Sequence, residues 1–498
     1  MGWLQAPDYW LARLLFERAL AMVYLIAFIV VLDQFRPLLG EKGLLPAPLF
    51  LQRARFWQAP SLFHLRYLDR LLLAAAWLGT GLSAAILAGL LDVTPSWASI
   101  PIWLVLWVLY LSIVNIGQTF YSFGWESLLL ETGLLAAFFG AGRMAPPALL
   151  IWLLRWVVFR LEFGAGLIKL RGDPCWRDLT CLYYHHETQP MPNPLSWYFH
   201  WLPKRLHRLE VLGNFAAQLV VPFGLFAPQP VAAIAGAIIV LTQSWLLLSG
   251  NFAWLNFLTI TIALTAFDDR QLGRILPFKP HVLAALPPWW QGLSLFLALV
   301  VVVLSFWPVS NLISPGQLMN YPFNRFHFVN TYGAFGSITK TRYEIVIEGI
   351  DLRSEPSARQ QALSDAAWRE YEFRGKPGDP LRRPPQFAPY HLRLDWLMWF
   401  AAMAPPDASP WLLAFVLRLL ENDPATTRLL RHNPFPAAPP TYVRALYYRY
   451  RYSTLRERKD SGAWWVRTLV GEYLPAMRLR PSGEGTPPPR WEDGLDSF

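Results

Sequence analysis

The sequence predicts a polytopic α-helical membrane protein of about nine spans, followed by a strand-rich C-terminal α+β soluble domain. Three observations carry this. Of 498 residues, 54% are hydrophobic and 16% are charged, where a soluble domain carries about 25% charged residues. Apolar runs close to the roughly 20 residues needed to cross a bilayer recur as far as Pro308. Beyond Pro308, Pro, Arg, Asp and Glu become common, and no run is long enough to span.

The expected spans lie near 14–35, 70–91, 99–116, 121–141, 147–170, 209–227, 230–249, 251–267 and 287–308. The first follows Arg13, Glu17 and Arg18 without a small-residue cleavage site, so it reads as a retained span and not a cleaved signal. Ser249-Gly250-Asn251 reads as a helix stop followed by an N-cap at Asn251. The bundle is expected over 1–309, with amphipathic loops at 36–69 and 171–208. The soluble domain is expected over 310–480 and a disordered Pro/Gly-rich tail over 481–498. In the soluble part, 342–352 and 447–452 read as strands, the second with Tyr448, Tyr450 and Tyr452 alternating with Arg449 and Arg451. Residues 393–403 and 410–420 read as helices. There is no internal repeat, which disfavours a transporter.

A net charge of +10 in so apolar a chain points to loops that meet lipid headgroups, and nothing resembles a nucleic-acid module or a phosphate loop. Four crossings separate loop 36–69 from loop 171–208, and four more separate that loop from the soluble domain, so all three share a side. By the positive-inside rule, Arg36, Lys42, Arg53, Arg55, Arg66, Arg171, Arg177, Lys204, Arg205 and Arg208 would make that side cytoplasmic, against Arg143, Arg270, Arg274 and Lys279 opposite.

The fifth span carries Arg155, Glu162 and Lys169 at a seven-residue interval, on one helical face. Ionisable groups in a span are costly, so they mark function or interhelical pairing. The plainer expectation is an ion pair at Glu162 with Lys169 reaching toward the interface, Glu126 and Glu131 being candidate partners of these charges. Gly164 and Gly166 allow another helix to approach closely.

The stretch RGDPCWRDLTCLYYHHETQPMPNP, 171–194, holds both cysteines, Cys175 and Cys181. Asp173-Pro174 reads as a helix start. A helix running through both cysteines would set them about 9 Å apart along its axis, too far to bridge, so two reduced thiols are expected. His185-His186-Glu187 invites a metal, but adjacent histidines rarely converge on one ion and no histidine follows at helical ligand spacing. No metal site and no cofactor are therefore expected. His200 and His207 could join only through tertiary contacts. The stretch reads as a collar on the bundle.

Several long runs resemble one family. The strings GAGLIKLRGDPCWRDLTCLYYHHETQPMPNP, NTYGAFGSITKTRYE, YEFRGKPGDPLRRPPQFAPYHLRLDWLMWFAAM, HNPF, AWWVR and SFGWESLLLETG are similar to those of the lipase maturation factors, in the same order and across both domains. The resemblance implies a membrane-embedded, chaperone-like factor that helps secreted proteins, lipases above all, to fold and mature, with no catalytic residues. It implies an endoplasmic reticulum membrane in a eukaryote and the cytoplasmic membrane in a bacterium. It also sets the working face outside the cytoplasm, against the charge count, because secreted clients are met only there. Candidate client or interface residues on the shared motifs are Cys175, Trp176, Arg177, Asp178, His185, His186, Glu187, Asn330, Tyr332, Gly333, Gly336, Asp395 and Trp396. Expected partners are secreted client proteins and membrane lipids. Animal members carry cysteines where Gly375 and Pro385 stand here, and the Arg-, Pro- and Trp-rich composition resembles a bacterial member.

A more distant similarity supplies a rival. Lys169-Leu170…Asp173 is similar to a segment of the vitamin K-dependent γ-carboxylase whose lysine is the base, although there a Trp directly follows the Asp and here Pro174 and Cys175 intervene before Trp176. That resemblance implies an enzyme with Lys169, assisted by Glu162, acting on a lipid-soluble or peptide substrate.

Overall fold

A 30-residue helix, α1 (Trp10–Leu39), opens the membrane part. Phe16, Leu20, Tyr24, Phe28, Val31 and Phe35 on it are fully buried. These six share one face of α1, while Met22, Asp33 and Arg36 on the opposite face are exposed, so the helix packs by one side. The computed structural model describes residues 2–278, 282–352 and 368–479, so the expected tail 481–498 lies outside the described residues.

Against α1 pack α2 (Asp69–Ala88), which ends at Gly89 with φ of +117°, and α3 (Ser99–Asn115). Glycine has no Cβ to resist that left-handed angle, so the chain can turn there at little cost. The bundle continues with α4 (Gly124–Ala137), α5 (Ala148–Arg171), α6 (Leu182–Thr188), α7 (Lys204–Leu219), α8 (Val231–Ser249), α9 (Leu255–Ala263) and α10 (Pro288–Leu304).

Among the described residues, six helical segments are long and apolar enough to cross a membrane: Pro7–Leu39, Asp69–Ala88, Ser96–Asn115, Lys204–Phe226, Val231–Ser249 and Pro288–Ile313. The other three expected spans exist as helices of a different kind. Helix α4 has only 14 residues. Helix α5 has 24 but carries Arg155, Arg160, Glu162 and Lys169, and α9 with its 3-10 extension ends at Ala266. These three lie inside the ring, whereas the outer helices turn Trp77, Leu241 and Val302 outward, each at least 63% exposed. Apolar side chains facing outward suit a hydrocarbon surround.

The C-terminal part is built on a four-stranded antiparallel sheet of order β2-β1-β3-β4, from β1 (Arg342–Ile350), β2 (Arg369–Glu370), β3 (Tyr442–Tyr452) and β4 (Trp465–Met477). Ile345 faces Tyr447, and Tyr450 faces Arg467. Tyr450 and Tyr452 are buried and Arg449 is exposed, which is the alternation the sequence pattern requires. Strand β4 was not expected from the sequence; it is an edge strand, where Pro475 removes no ladder bond from a central position. Helices α11 (Arg393–Ala401) and α12 (Pro410–Leu420) lie against the sheet, where the Tyr447 hydroxyl donates to Ala402 O at 2.8 Å and that of Tyr473 to Ala401 O at 2.9 Å.

Loop 36–69, the 171–208 stretch and the C-terminal part meet at one end of the bundle. Arg418 donates to Lys42 O at 2.8 Å, and Trp197 donates to Ser453 O at 2.9 Å.

Candidate functional site

The 171–208 stretch is clamped between the bundle and the sheet. The Asp173 carboxylate accepts from Cys175 N at 2.9 Å and caps a single turn, Pro174–Arg177. There the expected helix stops. Leu179 takes φ of +59°, and Thr180 N returns to Cys175 O at 2.8 Å. The reversal brings the two Cα atoms to 4.8 Å, and Cys175 and Cys181 are disulfide-bonded. The expectation of two reduced thiols is thus corrected: it assumed a continuous helical rise that the turn at Leu179 abolishes.

Beyond the disulfide, the chain is held by side chains that stand in for secondary structure. The Gln189 amide donates to Ser249 O at 2.9 Å, and the Ser196 hydroxyl donates to the same carbonyl at 2.7 Å. Asn251 is not an N-cap. Buried, it donates to Pro192 O at 3.1 Å and Pro385 O at 3.0 Å and accepts from Phe387 N and Ala388 N. One amide therefore ties bundle, collar and soluble domain together. Arg342 on β1 donates to Glu187 O at 3.0 Å and Pro190 O at 3.2 Å and pairs with Glu344 at 2.6 Å. Tyr452 N donates to the Glu187 carboxylate at 2.7 Å. Trp176 donates to Phe335 O at 2.8 Å, and Asp173 N donates to Gly336 O at the same distance.

His185 and His186 are both buried. Burial pushes the His185 imidazole down to about 4, with the nearby Lys169 charge adding to the effect. It pushes His186 further down, reinforced by His185, His207 and His200. Both rings are neutral at physiological pH. His185 packs edge-on to Phe335 at 5.0 Å.

The charges inside the bundle pair differently from the heptad reading. Arg160, which that reading passed over, forms the buried ion pair with Glu131. Asn330 and Tyr332 close over it: Asn330 Nδ2 and the Tyr332 hydroxyl donate to Glu131 Oε2 at 2.9 and 2.7 Å. Glu126 accepts instead from Arg393 of α11 at 2.8 Å, and the Arg393 guanidinium lies 3.4 Å from the centre of the Tyr121 ring. Among the described residues Arg155 makes no carboxylate pair, donating to Leu225 O at 3.0 Å and Thr265 O at 2.9 Å. Glu162 accepts from Gln243 at 2.6 Å. Lys169 does not reach the interface but is buried, donating to Gln218 at 2.8 Å and Asn214 at 3.1 Å beneath the Trp176 ring.

Gly166 admits α7: a Cβ there would meet Leu219 Cδ2 at 2.7 Å. Gly164 instead admits the Tyr332 backbone, so its nearest neighbour is the loop of the soluble part, with Leu312 beside it. Gly333 and Gly336 are hemmed by Ile168 and by backbone oxygens, and neither has a positive φ. Asp395 accepts from Gly375 N at 2.6 Å, and burial holds its carboxyl up at about 6. Trp396 packs edge-on to Trp125 at 4.9 Å. Of the candidate residues, Arg177 and Asp178 are exposed, and Glu187 and the backbone-held glycines lie at the seams.

Comparison with known proteins places this geometry. Residues 11–274 match the lipase maturation factor transmembrane domain, and residues 328–475 match the lipase maturation factor C-terminal domain. The chain belongs to the lipase maturation factor family. It is 41% identical to lipase maturation factor 1 of Bos taurus over 95% of this chain and 90% of that protein. Against the Homo sapiens protein of the same name the identity is 40%, over 96% and 89%. It is 30% identical to lipase maturation factor 2 of Homo sapiens over 94% of this chain and 83% of that protein. No solved structure matches. In this family member the contacts between the two matched regions run through Arg160, Arg342, Arg393, Asn251 and Gln189, of which the sequence reading singled out only Asn251, and that as an N-cap. The signal for Arg160 was present, as an ionisable residue in an apolar run. Arg342 and Arg393 open a strand and a helix, where a basic residue attracts no notice.

Proposed function

We propose that the protein is a membrane-embedded maturation factor for secreted lipases, working by a chaperone-like mechanism with its collar and C-terminal sheet on the extracytoplasmic side. The observation that carries this is similarity to two proteins named for lipase maturation across at least 95% of the chain. The Cys175–Cys181 bond supports the sidedness, because disulfides persist in oxidising compartments and are rare where glutathione keeps thiols reduced. That argues against the cytoplasmic face suggested by the basic loops.

Buried Cys175, Trp176, His185, His186, Asn330, Tyr332, Asp395 and Trp396 would then shape the working face, while Arg177, Asp178 and the exposed Leu469 and Val470 of edge strand β4 would meet the client. Base chemistry at Lys169 draws no support from its surroundings, since the amine is engaged by Asn214 and Gln218.

The test is co-expression with a secreted lipase in cells lacking their own maturation factor. Active lipase should appear in the medium only with the protein present, and thiol reagents applied from outside should reach cysteines introduced at Gln52, Arg177 and Gly462 but not at Arg274. Lipase secretion indifferent to the protein would sink the function, and labelling confined to Arg274 would sink the orientation alone.

A further inference from the structure

Among the described residues, one group of His and carboxylate side chains can close on a single ion: His186, His207 and Glu210. His186 comes from α6 of the collar; His207 and Glu210 come from the first two turns of α7. On α7 the two are three residues apart and share a face. One ligand atom from each of the three residues lies within 4.8 Å of the others. Two ligands on a tetrahedral ion with bonds of about 2.0–2.1 Å stand about 3.4 Å apart, so side-chain rotations that draw the atoms together by at most about 1.4 Å complete the set.

Three features of the surroundings point to a cation. His186 is 3% exposed, and neither of its ring nitrogens has a hydrogen-bond partner. A buried imidazole in that condition forfeits the bonds it made in water. His207 is 1% exposed, and its Nε2 lies 3.3 Å from His200 O, a contact that only an N–H can make favourably. With the proton on Nε2, Nδ1 presents a lone pair to the Glu210 carboxylate at 3.1 Å. Two acceptors face one another there, and a positive centre between them resolves the conflict. Finally, Trp245 of α8 donates to Glu210 Oε1 at 2.6 Å, leaving Oε2 directed at the histidines. A backbone carbonyl behind one ligand and an indole N–H behind another are the outer contacts that orient metal ligands.

We propose that His186, His207 and Glu210 form a zinc-class divalent metal site that clasps the collar to α7. Two neutral imidazoles and one carboxylate suit zinc, and a fourth position is left for water. The Glu210 side chain is 17% exposed, which provides the way in. The competing occupant is a single proton shared between His207 and Glu210, which would leave His186 without a partner.

The experiment uses the full-length protein purified in detergent without chelator. Bound metals are measured by mass spectrometry after dialysis, and Co2+ is titrated into chelator-stripped protein while the visible spectrum is recorded. Stoichiometric zinc, or Co2+ uptake with the intense bands of a tetrahedral site, is expected for the wild type and for His185→Ala. His207→Ala should lose both. Trp245→Phe, a surface change that spares the fold, should weaken zinc by about 10–100-fold. A wild type that holds no zinc and leaves the Co2+ spectrum as it is in buffer overturns the site. So does undiminished binding by His207→Ala.

Discussion

Glu126 and Glu131 sit on the same short helix, both buried, yet they serve different unions. Glu131 pairs with Arg160 inside the bundle, and the soluble part then seals that pair through Asn330 and Tyr332. Among the described residues Glu126 has no bundle cation; its partner, Arg393, comes from the soluble part itself. The first carboxylate is part of the membrane core, with the loop as a lid. The second is a socket for a residue synthesised far downstream. Buried pairs add little net stability, but breaking one leaves an uncompensated charge. The two sites should therefore fail differently.

Glu131→Ala should have the largest effect. It strands the Arg160 guanidinium and removes the acceptor of Asn330 and Tyr332, a loss of about 3–5 kcal/mol. Thermal unfolding in detergent and the amount of protein accumulated would both fall, and Glu131→Leu combined with Arg160→Met should recover the part of the loss due to the stranded guanidinium but not the part due to Asn330 and Tyr332. A normal melting temperature for Glu131→Ala would erase the distinction between the two carboxylates.

Arg393→Met should cost less, about 1.5–3 kcal/mol, because Glu126 keeps the Tyr110 hydroxyl as a donor. Hydrogen exchange should quicken in Arg393–Ala401 while residues 330–332 stay protected. Equal loosening of both segments would show the two unions to be one.

Next comes Gly333→Val, at about 1–3 kcal/mol from overpacking. An added Cβ meets Met319 O at 3.0 Å and Ile168 at 3.4 Å, so the loop over Glu131 should lift while the Arg393 socket stays shut. Gly333→Ala should fall between wild type and valine. Equal stability of all three variants would remove the close approach from the account.

Lys169→Ala should matter least to lipase maturation per folded molecule. Removing a proton-transfer group costs about 100-fold or more in rate; here secreted activity should stay far above that. A collapse of activity at normal protein levels would move Lys169 from scaffold to chemistry.

Much of this architecture is legible in the chain. The strands around 342–352 and 447–452, the helices at 393 and 410, and the Asp173 cap follow from alternation, helical period and capping chemistry, all of which are local. What escaped was non-local. The turn at Leu179 is made by a leucine at positive φ, a residue that gives no turn signal, and without it the cysteines cannot be paired. Asn251 follows a helix stop as an N-cap would, but its amide is claimed by Pro192 and Pro385 from two other regions. Gly333 and Gly336 were legible only as shared motif residues, and it is Phe335 between them, not either glycine, that has a positive φ, +58°. The glycines are there for the space Ile168 occupies. Composition could report that Glu126 and Glu131 needed partners, but only the folded chain could say which.

The downstream origin of the loop at Asn330 and of Arg393 has a consequence for biosynthesis. A ribosome delivers the bundle first, and during that interval Glu126 lacks its cation and Glu131 lacks its lid. Ionised groups in that condition weaken helix association, or stay protonated until a partner arrives. Insertion and completion are thus separate events, and the nascent bundle must wait, loosely joined, until translation has passed residue 393. A chain stopped before that point would insert and yet never close, which makes the last third of the polypeptide the timing element for the first two.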